Sequence, residues 1–223
     1  MVTTQIPDGL PKPQRKWAMT AIAIGISVAV LDGAIANVAL PTIAQDLNVN
    51  PASSIWVVNA FQLAVTISLL AFSSLGDLWG YKKVYVGGLL LFSITSLICA
   101  LSDSFWTLVL ARGLQGFGAA AITSVNTALL RIIYPRRLLP RGMGTNALII
   151  AVAAAAGPTV AAGILSVAPW PWLFAINVPI GLTAFILSAK FLPHNPVKVE
   201  GQRFDVPSAI LNALTFGLLI SCI

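Results

Sequence analysis

Charge is what this sequence has least of. Only 9% of its 223 residues are Asp, Glu, Lys or Arg, where soluble domains carry about 25%. Acidic side chains number seven and histidines one. The two cysteines, Cys99 and Cys222, both fall inside apolar runs. These shortages exclude most site chemistry. A disulfide framework or a metal cluster needs more ligands in the right spacing, so neither is expected. His194 stands alone in a loop and reads as a solvated side chain. No nucleophile–base pair and no phosphate-cradling loop is visible, so no enzyme and no cofactor are expected.

Long apolar runs are what the chain has in quantity. It is 57% hydrophobic, with a mean hydropathy of +0.89. The runs follow one another at about 17–41, 54–75, 84–101, 105–133, 142–167 and 172–192, and a seventh starts near Val206. Each is long enough as a helix to cross a bilayer. They far exceed the ten or so alternating residues of a barrel strand. The first is too long for a signal h-region and lacks a small-residue cleavage site. The expected architecture is all-α and integral to the membrane. A leader (1–16) precedes a six-span bundle (17–192), then a loop (193–205) and the start of a seventh span (206–223). The leader is polar, with Pro7, Pro11 and Pro13, and is expected to be disordered.

The net charge of +6 does not point to nucleic acid. Of 13 basic residues, all but Arg112 lie in the leader, in three alternate connections or at the helix ends beside them. That bias is a topology signal and puts the N-terminus in the cytoplasm. Asp46 and Asp103 fall on the outer side. Trp17, Trp56, Trp106, Trp170 and Trp172 fall near span ends, where interfacial anchors belong.

Two charges lie within spans. Asp32 sits in the first run with no basic residue within a turn or two. Facing lipid, an ionised carboxylate would cost roughly 2.5–3.5 kcal/mol or more. A polar cavity inside the bundle, where Asp32 can bind and release a proton, is the economical reading. The structural alternative is a static bond to a neighbouring helix, through Asn37. Arg112 is the only intramembrane cation. Asp32 lies nine residues before Pro41 and Arg112 seven after Phe105, in antiparallel spans. Both therefore sit roughly 10–14 Å below the outer edge, a depth that allows contact. Pairing favours the carboxylate anion, and separation would let it load a proton. A static ion pair is again the alternative. Gln115, at i+3 from Arg112, shares its face. The turn Gly76–Asp77–Leu78–Trp79–Gly80–Tyr81–Lys82–Lys83 is tight and basic. Asp77 there could cap the next span or dock on another helix. The stretch from Gly144 to Gly163 offers small residues for helix packing, and Gly157–Pro158 a local break in helix hydrogen bonding.

Five stretches carry a resemblance. Leu31–Asp32–Gly33–Ala34–Ile35–Ala36–Asn37–Val38–Ala39–Leu40–Pro41 is similar to the first-span motif of the fourteen-span drug:proton antiporter branch of the major facilitator superfamily. Gly76 to Lys83 resembles that superfamily's loop motif. Leu108 to Ala120 resembles its fourth-span motif at Arg112, Gln115, Gly116 and Gly118. Gly144 to Gly163 resembles the antiporter motif, and Trp172 to Gly181 the branch's sixth span. Within the branch the likeness is to pumps for methyl viologen and other quaternary ammonium cations.

The resemblance implies the N-terminal half of a proton-coupled exporter of lipophilic cationic drugs and biocides in a bacterial inner membrane. It works by alternating access and draws on the proton gradient. Asp32 would be the protonatable carboxylate and a drug contact, Arg112 a partner in proton relay. Asp77, Gly80, Lys82 and Lys83 would form the inner gate, and Gly157 and Pro158 the antiporter motif. Trp56, Phe61 and Phe117 could join Asp32 and Gln115 in the cavity as cation–π partners. Ser73, Leu78 and Tyr81 depart from the loop motif, which thins the gate's charge network. Ala153, Ala161 and Ala162 replace glycines of the antiporter motif. The superfamily builds its cavity between two six-span halves, so a second half is expected for activity. A nutrient permease on the same fold, or a non-transporting fragment or regulator, are the rival readings.

Overall fold

The computed structural model describes residues 8–193 and Thr215. The first seven leader residues, the loop after Pro193 with His194, Cys222 and the expected seventh span apart from Thr215 lie outside the described residues.

Among the described residues all regular structure is helical. Helices α1 (Lys12–Asp46), α2 (Pro51–Ser54), α3 (Trp56–Trp79), α4 (Tyr81–Ala100) and α5 (Phe105–Ile133) come first. A 3₁₀ turn (Arg136–Leu138) leads into α6 (Leu139–Leu165), α7 (Pro171–Ala175) and α8 (Asn177–Phe191). Six helical units are long and apolar enough to cross a membrane, with α2–α3 and α7–α8 each forming one of them. The protein is an all-α membrane protein.

Local chemistry sets the joints. Ser104 caps α5 by accepting the Thr107 N–H at 3.3 Å. Asn50 accepts the Ala52 N–H at 2.9 Å and Pro51 opens α2. Between α3 and α4 the turn is a single residue, Gly80, at φ +101°. Only glycine adopts that backbone without steric strain.

Four expectations change here. Pro41 does not close the first helix. It removes one hydrogen bond from the ladder, yet α1 runs on to Asp46 and ends on Leu47, whose N–H meets Ile43 O. The described part of the leader is ordered. α1 starts at Lys12 with Pro13 in its first turn, where the missing N–H does no harm. Ahead of it Leu10 donates to Ile133 O at 3.0 Å, and Asp8 accepts the Arg136 N–H at 3.0 Å. The basic turn after span two is mostly helix, because α3 extends to Trp79. Trp170 is not an interfacial anchor. It is 2% exposed and donates from Nε1 to Asp46 at 2.7 Å.

Helix α5 is the central post. α4 packs along one side and α3 along another, while α1 packs against α6 and α8. Small residues make these approaches close. A Cβ on Gly118 would lie 2.8 Å from Phe92 N on α4, and one on Gly116 would lie 2.5 Å from Phe61 O on α3. Gly157 meets the Ala34 side chain of α1 in the same way, so packing is a role of the Gly157–Pro158 stretch. Pro158 lies inside α6 without ending it.

The core divides into two apolar layers. One holds Ile22, Ile26, Leu89, Phe92, Ile122 and Leu129. The other holds Ile35, Ile43, Val57, Leu108, Leu173 and Phe174. On α1, α4 and α5 the layers leave a gap at Asp32, Ser96 and Arg112–Gln115, and those polar residues fill it.

Candidate functional site

The gap between the layers contains a closed polar cluster. Asp32, Arg112, Gln115, Ser96 and Asn177 come from α1, α5, α5, α4 and α8, and all are 0% exposed. Arg112 Nη1 donates to Asp32 Oδ2 at 2.5 Å. The same nitrogen donates to Gln115 Oε1 at 2.7 Å, and Nε donates to Val57 O at 3.2 Å. Gln115 Nε2 donates to Asp32 Oδ1 at 3.2 Å and to Ser96 Oγ at 2.7 Å. Ser96 Oγ in turn donates a hydrogen bond to Phe92 O at 2.7 Å. Asn177 Nδ2 donates to Asp32 Oδ1 at 2.6 Å. The Cys99 thiol reaches Gln115 Oε1 at 3.6 Å.

The guanidinium is also sandwiched. Its Cζ lies 4.2 Å from the Phe61 ring centroid and 5.4 Å from that of Phe174. Cation–π attraction is strongest where water is excluded, as it is here. One nitrogen, Arg112 Nη2, has no hydrogen-bond partner. The pair as a whole is neutral, which is how two charges persist inside an apolar bundle.

Of the residues singled out in the sequence, Asp32, Arg112, Gln115 and Phe61 come together. Asn37 does not join them. It donates to Gly33 O on its own helix at 3.0 Å, so the suggested bond to Asp32 is absent. Trp56 is 46% exposed at the start of α3, and Phe117 is half-buried on α5. The ring contacts of Arg112 are with Phe61 and Phe174 instead. No side chain of the cluster is exposed. A groove of about 310 Å³ runs beside it, lined by residues including Gly33, Ala34, Phe61, Gln62 and Thr123, but not by Asp32. Phe61 thus lines the groove and also contacts the guanidinium.

Asn177, Ser96 and Phe174 were missed as site residues. The counting that paired Asp32 with Arg112 could have found Asn177, which lies six residues into its span from Pro171. Ser96 gave no signal, being one of many hydroxyls in apolar runs.

The loop motif is organised differently from the expectation. Asp77 does not cap α4, whose first turn has no side-chain cap. It accepts the Tyr81 hydroxyl at 2.5 Å. Lys82 and Lys83 occupy the first turn of α4, directly after Gly80. A second polar contact lies deeper in the chain, where Asn126 Nδ2 on α5 donates to Asn146 Oδ1 on α6 at 3.2 Å.

A bundle of membrane-crossing helices around a buried ion pair defines a class, the polytopic membrane proteins. The family model for the Major Facilitator Superfamily matches residues 22–221, and the chain belongs to that superfamily. It is 63% identical over 216 residues to a protein named uncharacterized transporter YebQ from Escherichia coli K12, covering 97% of this chain and 47% of that one. It is 33% identical to the riboflavin transporter RibZ of Clostridioides difficile 630, covering 93% and 46%. Against the putative multidrug resistance protein MdtD of Salmonella typhi it is 32% identical, covering 97% and 44%. The chain therefore spans about half the length of the curated relatives it matches. Among solved structures it resembles a bacterial homologue of the human lysosomal transporter Spinster, crystallised inward-facing and unoccupied. The TM-score is 0.64 at 16% identity, over 86% of this chain and 47% of that one, a likeness of fold.

Proposed function

We propose that the chain is the N-terminal half of a bacterial inner-membrane exporter that trades protons for lipophilic cations, with its N-terminus in the cytoplasm. The observation that supports this most is the buried Asp32–Arg112 pair, which shares one aromatic ring with a groove. A buried ion pair is poor value for stability alone, since well-packed apolar residues often do as well or better. A pair that opens and closes in a transport cycle has a reason to be kept.

The coupling follows from Phe61. A cationic guest in the groove draws on the same ring's electrons and repels Arg112 through it. If the guanidinium moves away, Asp32 is left as an uncompensated carboxylate in an apolar site, where it takes a proton. Expelling the guest and releasing the proton restore the pair. Rocking of the two halves would expose the site to each side in turn. The proton gradient supplies the energy, and no cofactor takes part. Asp77, Gly80, Lys82 and Lys83 would serve as the inner gate, and Gly157–Pro158 as the face on which α6 moves. The relative named for multidrug resistance supports drugs as substrates. The relative named for riboflavin transport supports a second reading, a vitamin carrier on the same scaffold.

In the complete transporter, Asp32→Asn is expected to fold, at reduced stability because Arg112 loses its partner, and to reach the membrane, but to lose resistance to quaternary ammonium compounds and drug-induced proton release. Normal proton-coupled efflux by that variant would overturn the reading. Riboflavin movement without cation efflux would favour the second.

A further inference from the structure

Two amides touch Asp32, and they are not equivalent. Gln115 is locked. Its Nε2 serves Asp32 and Ser96, and its Oε1 already accepts from Arg112 at 2.7 Å. Asn177 is not locked. Its Nδ2 donates to Asp32 Oδ1 at 2.6 Å, while its own Oδ1 is buried and has no partner. An unpartnered buried carbonyl oxygen is uncommon and asks for an explanation.

Proton binding at Asp32 supplies one. The carboxylate needs donors, and here it has three from Arg112, Gln115 and Asn177. The protonated acid needs an acceptor for its own O–H. Oδ2 is the atom to which the guanidinium returns when the pair re-forms, whereas Oδ1 is the one both amides touch, so the proton is assigned to Oδ1. Among the described residues, the acceptor available around Oδ1 is the idle oxygen of Asn177. The terminal torsion of an Asn side chain is soft and roughly two-fold. Half a turn exchanges Nδ2 for Oδ1 at nearly the same position.

We propose that Asn177 is a positioning residue that serves both protonation states of Asp32 by turning its amide. It donates to the carboxylate and, after half a rotation, accepts from the acid. The inference rests on the proton-coupling role given to Asp32 above. The groups facing Asp32 are few. α5 brings the charged Arg112, α8 the amide, α3 the Val57 carbonyl to the guanidinium, and α4 the Ser96 hydroxyl and the Cys99 thiol through Gln115. When Arg112 withdraws, Gln115 keeps its orientation through Ser96 on Nε2 and the Cys99 thiol on Oε1, and Ser96 stays between Gln115 and Phe92 O, so the Asn177 oxygen remains the acceptor with no prior partner. α8 thereby gains a connection to proton loading that does not run through Arg112.

Infrared difference spectroscopy on the complete transporter, titrated with acid, tests this. The carboxylic acid band of Asp32 is identified by its loss in Asp32→Asn. In the wild type that band should appear together with a side-chain amide signal from asparagine, and Asn177→Ser should abolish the amide signal. Asn177→Leu removes the acceptor, so the acid band should move to higher wavenumber. Asn177→Ser keeps a hydroxyl that can donate or accept, and should move the band back. Proton-coupled turnover should fall roughly tenfold in Asn177→Leu, the equivalent of about one hydrogen bond, with substrate KM little changed. A wild-type acid band unaccompanied by an amide signal overturns the proposal even if Asn177→Leu fails to fold. So does an acid band at its wild-type position in a folded Asn177→Leu. Either result leaves the role of Asp32 standing. Proton-coupled efflux by Asp32→Asn would instead remove that role itself.

Discussion

Helices α5 and α6 have similar compositions and opposite fates. Both are long, apolar and rich in glycine and alanine. α5 buries residues on most of its circumference, from Leu108 to Ile133. α6 buries five, Gly142, Asn146, Ala153, Gly157 and Ala161, and leaves Leu148 and Val152 largely exposed. The glycines show the difference. On α5, Gly116 and Gly118 each stand against backbone of a neighbour, α3 and α4 respectively. On α6, Gly157 stands against Ala34, whereas Gly144 and Gly163 have nothing within 4 Å. A small residue by itself does not say whether a helix is clasped. Small residues permit close approach, and the partner's shape decides whether that permission is used.

The contrast can be broken at the buried charge that only α5 carries. Arg112→Leu leaves Asp32 unpaired and should destabilise the complete transporter by about 3–5 kcal/mol. Adding Asp32→Asn should recover much of that loss. Thermal unfolding in detergent measures both, and no recovery would mean the pair holds the fold by something other than charge. Gly118→Val comes next, at about 3 kcal/mol, because the new side chain meets Phe92 backbone that cannot give way. The same substitution at Gly144 should cost far less. Equal losses would dissolve the distinction between the two helices.

Smaller effects sharpen it. Trp170→Phe removes the indole N–H that Asp46 accepts, and should cost about 1 kcal/mol at that end of the bundle. Gly163→Ala on α6 should raise stability by up to about 1 kcal/mol, because alanine favours helix and meets no neighbour there. A loss at Gly163 would mean that this face is covered in the complete protein.

Much of this was legible in the sequence. Apolar run length is a strong signal, so the number and order of crossings among the described residues could be read from it. Equal depth allowed the Asp32–Arg112 contact without requiring it, because antiparallel helices of known rise share a ruler but not an angle about their axes. What escaped notice had physical causes. Pro41 and the Gly76–Lys83 stretch looked like terminators, but a helix held on several sides by neighbours can lose one hydrogen bond and continue. Trp170 looked like an anchor, since sequence cannot tell a tryptophan at the water line from one turned inward to a carboxylate. Asn177 was overlooked because a neutral amide carries no energetic alarm, whereas a lone charge in oil does.

The stitch between Asp8, Leu10 and the corner at Ile133–Arg136 has a mechanical meaning. It moors the foot of the first crossing to the joint between the fourth and fifth, and we expect a tilt of one to carry the other with it. Loosening that mooring, for instance with Asp8→Ala, would let the two feet drift independently. Spin labels placed at both would then report a broader spread of separations.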